Sequence, residues 1–224
     1  MGSGEIVCGR YSPLTEDEII EVRSIIREVS LKLARDEFEN YEETISEIAP
    51  TNHAPVVTSN GEYLALEHAQ FGFTKWDGKG VIINARSETI HEKSIFKNHI
   101  KTGRCVIPAS GYFEWKPPDE NQKKKIKHFI KDSQGNLLFM AGLWREGNDG
   151  KEFVVITKEP YGDVSRIHDR MPVMLRTDQL DAWLSGAMPI AELASLNYEC
   201  MGEPCEPLEQ TPDDNAGRQM TLFD

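Results

Sequence analysis

Leu137-Leu138-Phe139-Met140-Ala141-Gly142-Leu143-Trp144 is an unbroken apolar run of strand length in the second half of the chain. Shorter apolar or alternating runs flank it at residues 105–108, 112–116, 128–130 and 153–157, and Lys123-Lys124-Lys125 lies in a hairpin loop between two of them. Runs of this length, separated by turns, are typical of consecutive strands. The second half of the chain therefore predicts a sheet.

Helices are predicted on both sides of these strands. Thr15-Glu16-Asp17-Glu18 has the form of a capping box, and the apolar residues after it recur at helical spacing. This pattern predicts an amphipathic helix to about Arg35, with the acids up to Glu47 on its solvated side and exit. Shorter helices are expected near residues 93–101, 177–184 and 189–196.

The segment between the first helix and the sheet predicts further strands. Residues 49–52 predict an extended turn, and residues 56–73 predict strands joined by a turn at Ser59-Asn60-Gly61. Val81-Ile82-Ile83 predicts a short buried strand that runs into polar residues. Because strands and helices do not alternate regularly, the predicted fold class is α+β and not a doubly wound sheet.

The chain has 224 residues, four cysteines and a net charge of −12. This length suits one domain, expected at residues 8–202, after a leader or cloning remnant at 1–7 and before a disordered acidic tail at 203–224. Much of the negative charge lies in residues 15–47 and in the tail, so a local basic cleft for phosphates is compatible with it. We expect a cytoplasmic protein with reduced thiols and no metal or membrane segment.

Two side chains are candidates for chemistry because of their reactive groups. Cys8 carries a thiol whose pKa the neighbouring Arg10 would lower, although a reduced, half-buried cysteine at the start of a strand is the plainer interpretation. His168 lies between a strand and a helix and precedes Met171-Pro172, which restricts the local backbone. Its imidazole suits proton transfer near neutral pH, although many loop histidines are solvated and inert.

A carboxylate and an amide are further candidates. Glu114 lies between Phe113 and Trp115, and strand alternation places it with Tyr112 on the opposite face. If that face lines a cleft, burial raises the pKa of the Glu114 carboxyl; if it faces water, Glu114 is an ordinary surface residue. Asn84 ends an apolar strand, where side chains often face ligands, or else it caps the next turn.

Cationic and aromatic side chains are candidates for nucleic-acid contacts. Arg86 and Arg170 are suited to hold phosphates bidentately, or else to form ion pairs with neighbouring acids, namely Glu88 and Asp169. Phe73 and Trp76 are suited to stack on bases, although isolated aromatic residues more often belong to the core.

In this order, the motifs resemble the SRAP family, the SOS-response-associated peptidase-like proteins that shield abasic sites. The resemblance covers about residues 8–184, nearly the whole domain. The matching blocks are Cys8-Gly9-Arg10-Tyr11, Ala49-Pro50-Thr51, Asn84-Ala85-Arg86-Ser87-Glu88, Arg104-Cys105-Val106-Ile107-Pro108-Ala109, Gly111-Tyr112-Phe113-Glu114-Trp115-Lys116, Ala141-Gly142-Leu143-Trp144, Ile156-Thr157 and Ile167-His168-Asp169-Arg170-Met171-Pro172.

The resemblance implies a single compact α+β domain around a barrel-like, mostly antiparallel sheet with flanking helices. It implies binding to single-stranded DNA or its junction with a duplex, and a stable thiazolidine between Cys8 and a ring-opened abasic sugar, without a cofactor. Cys8, Asn84, Glu114 and His168 fall on the family's active-site positions. The expected DNA contacts are Arg10, Phe73, Trp76, Arg86, Thr157 and Arg170.

Two departures from the family pattern affect these expectations. The family usually starts Met-Cys, and removal of the initiator leaves the cysteine first, whereas seven residues precede Cys8 here and make its nitrogen an amide. The family's segment Trp-Gly-Leu-Ile-Pro-x-Trp is here Phe71-Gly72-Phe73-Thr74-Lys75-Trp76. The base-stacking wedge is therefore expected to differ in detail.

The expected function is that of a monomeric, nucleoid-associated sensor that cross-links to abasic single-stranded DNA through Cys8 once residues 1–7 are removed. Two alternatives stay open: a thiol peptidase that uses Cys8 and His168, with its own leader as a target, and a non-covalent reader of single-stranded or modified DNA. The tail ends in a sequence that resembles the bacterial clamp-binding pentapeptide, which predicts a contact with the replicative sliding clamp through Gln219, Leu222 and Phe223.

Overall fold

The computed structural model describes residues 8–29, 33–36, 46–59, 63–118 and 123–205. The strands are β1 (Arg10–Tyr11), β2 (Leu33–Asp36), β3 (His53–Ser59), β4 (Leu64–Phe71), β5 (Phe73–Thr74), β6 (Val81–Ile82), β7 (Asn84–Arg86), β8 (Arg104–Ala109), β9 (Tyr112–Lys116), β10 (Ile126–Asp132), β11 (Leu138–Gly147), β12 (Gly150–Lys158), β13 (Met171–Pro172) and β14 (Cys200–Pro204). The α-helices are α1 (Glu16–Val29), α2 (Ser94–Lys97), α3 (His99–Thr102) and α4 (Leu180–Leu184), and 3-10 helices span Gly162–Arg166, Thr177–Gln179 and Ile190–Ser195.

A closed barrel of five strands forms the centre of the molecule. Strands β12, β11, β8, β3 and β4 pair in this order and are antiparallel throughout. The barrel closes where β4 pairs with β12 in parallel, with Phe71 opposite Phe153. The rings of these two residues stack with their centroids 5.1 Å apart. The predicted α+β class and the barrel-like, mostly antiparallel sheet are confirmed.

Alternation along the barrel strands divides the core into two clusters. In β12, Val154 belongs to a cluster that packs against α1 and α4, whereas its neighbour Val155 belongs to a second cluster. This second cluster also contains Cys8 and, from the antiparallel sheet β1-β9-β10-β14, Tyr112 and Ile130. The core beneath Cys8 is therefore built jointly by the barrel and the smaller sheet.

The first helix is shorter than predicted. It ends at Val29 and not near Arg35, because Leu33–Asp36 forms β2 and pairs in parallel with β4. The side chain of Arg23 on α1 donates to Asp36 at 2.5 Å and joins the two elements. Pairing with a distant strand thus overrides the helical periodicity of this segment.

Other predicted boundaries also differ. Two short helices, α2 and α3, replace the single helix expected near residues 93–101. Strand β14 pairs with β10 and runs to Pro204, two residues beyond the predicted domain end. The leader at 1–7 and the tail motif with Gln219, Leu222 and Phe223 lie outside the described residues, so both stay predictions. Within the described ranges, no helix is long and apolar enough to cross a membrane.

Candidate functional site

Strand β9 carries Glu114 into the interior. Tyr112 and Glu114 are buried, and Glu114 is only 2% exposed, whereas Phe113 and Trp115 are half-buried on the other face. The alternation of the strand predicts the two faces, and the structure shows that the face of Glu114 is the buried one. Burial raises the pKa of the Glu114 carboxyl above its ordinary value, and the nearby His168 and the hydrogen bonds from Cys8 offset this effect only in part. A carboxyl group of this kind is suited to proton transfer.

Both potentially nucleophilic atoms of Cys8 lie beside Glu114. Its backbone N–H donates to Oε1 of Glu114 at 2.5 Å, and its thiol is close enough for this carboxyl group to raise the pKa of the thiol. The φ angle of Cys8 is 47°, in the left-handed region that costs a residue other than glycine about 1–2 kcal/mol. The surrounding contacts therefore hold the nitrogen and the thiol of Cys8 together against one acid.

The pKa of the Cys8 thiol differs from the value that the sequence predicts. Cys8 is 2% exposed, and burial raises the pKa of its thiol well above the ordinary value, with a further contribution from the negative charge of Glu114. Arg10 does not lower this pKa, because it is paired with Phe113 on the other face of the sheet and its guanidinium binds Glu47 at 3.1 Å. A reaction at the thiol therefore needs a base, and Glu114 is the carboxylate in contact.

His168 lies on the other side of Glu114. Its Nε2 is 3.8 Å from Oε2 of Glu114, and its side chain is nearly buried. The backbone N–H of Arg170 donates to Nδ1 at 3.1 Å, which assigns the proton of the neutral ring to Nε2. Asp169 Oδ1 lies 3.0 Å from Nδ1, a contact that is favourable only when Nδ1 carries a proton. At 3.8 Å the imidazole and Glu114 make no direct hydrogen bond, so a proton passes between them only after a closer approach or through one bridging water.

Asn84 and Arg86 lie on one face of β7. They are opposite Val155 and Thr157 of β12, and Val155 belongs to the same core cluster as Cys8. Asn84 is therefore on the side of the sheet that carries the site. Arg86 is exposed, and it makes no hydrogen bond or ion pair with the residues that the structure describes. Its guanidinium is free to bind an anion.

Arg170 is held by the protein itself. Its guanidinium donates to both carboxylate oxygens of Glu88, at 2.7 and 2.8 Å, and to the carbonyl of Thr157 at 2.8 Å. These bonds and the burial of Arg170 do not fit the predicted role of holding a phosphate. The ion-pair partner of Arg170 is Glu88 and not the adjacent Asp169. Thr157 is also buried, so both residues fix the segment that leads into His168.

The two aromatic candidates lie in opposite environments. Phe73 is fully buried and packs against Phe96 and His99, with the guanidinium of Arg145 4.5 Å from its ring centre. Stacking of Phe73 on a base would require opening of the core, which does not fit the predicted role. Trp76 follows β5 in the β5–β6 hairpin and is 100% exposed, so its ring is accessible.

Sequence reasoning did not single out Tyr112 as a site residue. Its side chain is fully buried on the face of Glu114, and its hydroxyl makes no hydrogen bond to the described part of the chain. Burial, the charge of Cys8 and the other nearby acids raise its pKa, so the phenol stays protonated. Its position two residues before Glu114, on the same face of the strand, is the sequence signal that could have identified it. No cluster of three potential metal ligands occurs among the described residues.

The closed barrel and the buried Cys8–Glu114–His168 cluster define the class of protein to which this chain belongs. The profile of the SOS response associated peptidase (SRAP) family matches residues 7–208. The chain is therefore a member of the SRAP family, as the motifs predict.

Named relatives and a solved structure support this membership. The chain is 33% identical over 192 residues to the abasic site processing protein YoqW of Bacillus subtilis, covering 80% of each chain. It is 30% identical over 142 residues to the abasic site processing protein YedK of Escherichia coli, covering 61% of this chain and 63% of that protein. A crystal structure of a Bacteroides thetaiotaomicron protein has the same fold, with a TM-score of 0.69 at 21% identity over 88% of this chain and 91% of that one.

Proposed function

We propose that this protein processes abasic sites in single-stranded DNA by capturing the ring-opened sugar as a thiazolidine on Cys8. The observation that carries the proposal is the position of Glu114, which accepts a hydrogen bond from the nitrogen of Cys8 and lies beside its thiol. A thiazolidine joins these two atoms to one carbon, so an acid–base group that touches both can serve both bond-forming steps. The names of the relatives support the choice of substrate.

The reaction requires a free amine on Cys8, and therefore the removal of residues 1–7. The amine adds to the C1′ aldehyde, and loss of water from the carbinolamine gives an imine. The Cys8 sulfur then adds to the imine carbon, and the thiol proton ends on the nitrogen. We assign transfer of this proton to Glu114, and protonation of the departing hydroxyl to Nε2 of His168, 3.8 Å from that carboxylate.

The remaining site residues bind the DNA. Arg86, exposed and without a described partner, holds a phosphate next to the lesion. Asn84, on the same strand face, orients the sugar through hydrogen bonds. Trp76 offers an exposed ring to a neighbouring base. Arg170 and Thr157 act indirectly, because they position His168 through the segment between them.

The contact at Cys8 also favours a second activity, which is removal of its own leader. Glu114 lies at the nitrogen that would leave when the Val7–Cys8 peptide bond breaks, where a carboxyl group can transfer the proton that this nitrogen gains. Attack of the Cys8 sulfur on the Val7 carbonyl would give a thioester and a free amine. Water would then release residues 1–7 as a carboxylic acid and restore the thiol. This step would produce the amine that capture needs.

The test is adduct formation with a single-stranded oligonucleotide that carries one abasic site. Protein that starts at Cys8 should give a covalent one-to-one adduct that survives a denaturing gel. The matched control, Cys8→Ser, retains the amine but has no thiol, so it should give no stable adduct. Reversible binding without any adduct would support the non-covalent reader and contradict the proposal.

A further inference from the structure

The β1-β9-β10-β14 sheet has a second face, which points away from Glu114. Arg10, Phe113 and Phe129 lie in register across β1, β9 and β10, and Trp115 is opposite Lys127 in the next position along the strands. We call these five residues the outer face. None of them belongs to the buried core.

Cations and aromatic rings are in direct contact on the outer face. Nζ of Lys127 lies 4.1 Å from the ring centre of Phe113 and 5.7 Å from that of Trp115. The rings of Phe113 and Phe129 are 5.1 Å apart. Partly exposed rings beside cations are characteristic of surfaces that bind single-stranded nucleic acid, where bases stack on the rings and phosphates lie on the cations.

A carboxylate joins the two cations of the outer face. Glu47 accepts a hydrogen bond from Arg10 at 3.1 Å and another from Lys127. Burial tends to raise the pKa of Glu47, but the hydrogen bonds from Lys127 and Arg10 outweigh it, so the net pKa is lowered and the group stays ionised. The sequence predicted Glu47 on a solvated face, whereas it is 21% exposed and neutralises a basic site.

We infer that the outer face binds the single-stranded DNA that flanks the captured sugar, and that Glu47 is an internal competitor which a phosphate displaces from Arg10 and Lys127. The identity of the polymer rests on the proposed function. The path is short, because Arg10 is two residues from Cys8 and the segment that carries Glu47 pairs with β1 through Tyr11 and Ile48. DNA that leaves the reactive cysteine therefore meets the Arg10–Glu47 pair first.

Single-stranded DNA fits this surface better than an acidic peptide does. A peptide carboxylate would replace Glu47 on the two cations but would leave the rings of Phe113 and Trp115 without a partner. A nucleic acid uses both, with phosphates on the cations and bases on the rings. Competition by Glu47 also explains how a chain with a net charge of −12 can hold basic residues here without strong non-specific binding.

The test measures binding of a labelled, undamaged oligothymidine to the full chain by fluorescence anisotropy, so that no cross-link can form. Glu47→Gln should tighten binding about fivefold, the upper range for one exposed charge interaction. It should also steepen the dependence of log K on log salt by about 0.7 for each additional phosphate that the two cations bind. The matched control is Asp178→Asn, which removes the same charge from an exposed ion pair with Arg176 at 3.3 Å outside this sheet and should change affinity little.

Two further variants test the cation and the ring. Lys127→Met should cancel the increase in affinity from Glu47→Gln, and Trp115→Leu should weaken binding about fivefold or more. Thermal melting should show that each variant is folded. Equal affinity of Glu47→Gln and wild type, or an equal increase from Asp178→Asn, overturns the inference.

The results distinguish a failure of this inference from a failure of the proposed function. Tighter binding of poly-glutamate than of oligothymidine by wild-type protein would assign the outer face to an acidic protein partner and overturn the inference. If oligothymidine binding responds to Glu47→Gln as expected but abasic DNA gives no adduct, the capture mechanism fails while the outer face keeps its assignment.

Discussion

At Glu114, a single carboxyl group is buried against the two atoms of Cys8 that would react. Glu114→Gln should preserve the acceptor for the Cys8 N–H but remove the ability to move protons. We expect adduct formation to slow by about 10²–10⁴-fold, the usual contribution of a positioned acid–base group, with unchanged affinity for undamaged DNA. The exposed Glu92→Gln is the control and should react at the wild-type rate. A Glu114→Gln variant that changes only binding would remove the chemical role.

The same burial makes Glu114 a cost to stability near neutral pH. Its pKa is raised in the folded state, so its favourable contribution is complete below the ordinary carboxyl pKa and is lost as pH rises through the raised value. Glu114→Gln should therefore have a higher Tm than wild type at pH 7.5, and the difference should shrink as pH falls toward about 4. Differential scanning fluorimetry over this range measures it. A lower Tm for the variant at pH 7.5 would contradict the prediction.

Arg86 and Arg170 should respond differently to replacement, although both were predicted to bind phosphate. Arg86→Ala should weaken DNA binding and reduce the salt slope by about 0.7, with Tm unchanged, because Arg86 is exposed and has no described partner. Arg170→Ala should lower the free energy of unfolding by about 1–3 kcal/mol, because it leaves Glu88 and the buried Thr157 carbonyl without their donor. Salt titrations and urea unfolding separate the two. If the two variants changed DNA affinity and the free energy of unfolding to the same extent, the prediction would be wrong.

At the scale of elements, local pattern predicted some features and missed others for a physical reason. Strand alternation placed Glu114 and Phe113 on opposite faces of β9, because alternation is a property of the strand itself, but it left open which face is buried. The end of α1 at Val29 could not be read locally, since it depends on the pairing of β2 with β4. The pKa of Cys8 was mispredicted for the same reason, because the face on which Arg10 lies depends on pairing with β9.

The barrel strands leave no room for an added methyl group at Gly142 on β11. A Cβ there would lie 2.3 Å from Cδ1 of Ile107 and 2.7 Å from the carbonyl oxygen of Val154. Since a backbone atom cannot rotate away, Gly142→Ala should lower the free energy of unfolding by about 1–3 kcal/mol. Urea unfolding measures this, with the exposed Ser133→Ala as a control. An unchanged midpoint would mean that the barrel is more adaptable than its packing indicates.

At the scale of the whole molecule, closure of the barrel brings the site residues together. Cys8, Glu114 and His168 come from the start, the middle and the later part of the chain, and their proximity depends on how the smaller sheet packs on the barrel. Local periodicity does not encode such long-range contacts, and the parallel pairing of β4 with β12 had no local signal. The ordered set of motifs, matched to a family, was the information that predicted the cluster.

The proposed function depends above all on covalent capture by a free Cys8 amine. The most direct measurement is the intact mass, under denaturing conditions, of an equal mixture of protein starting at Cys8 and protein retaining residues 1–7, after reaction with an oligonucleotide carrying one abasic site. We predict that only the form starting at Cys8 gains the mass of the oligonucleotide less one water, because an amide nitrogen is too weak a nucleophile to form the imine. Adducts that retain residues 1–7, formed in equal yield, would contradict the thiazolidine mechanism.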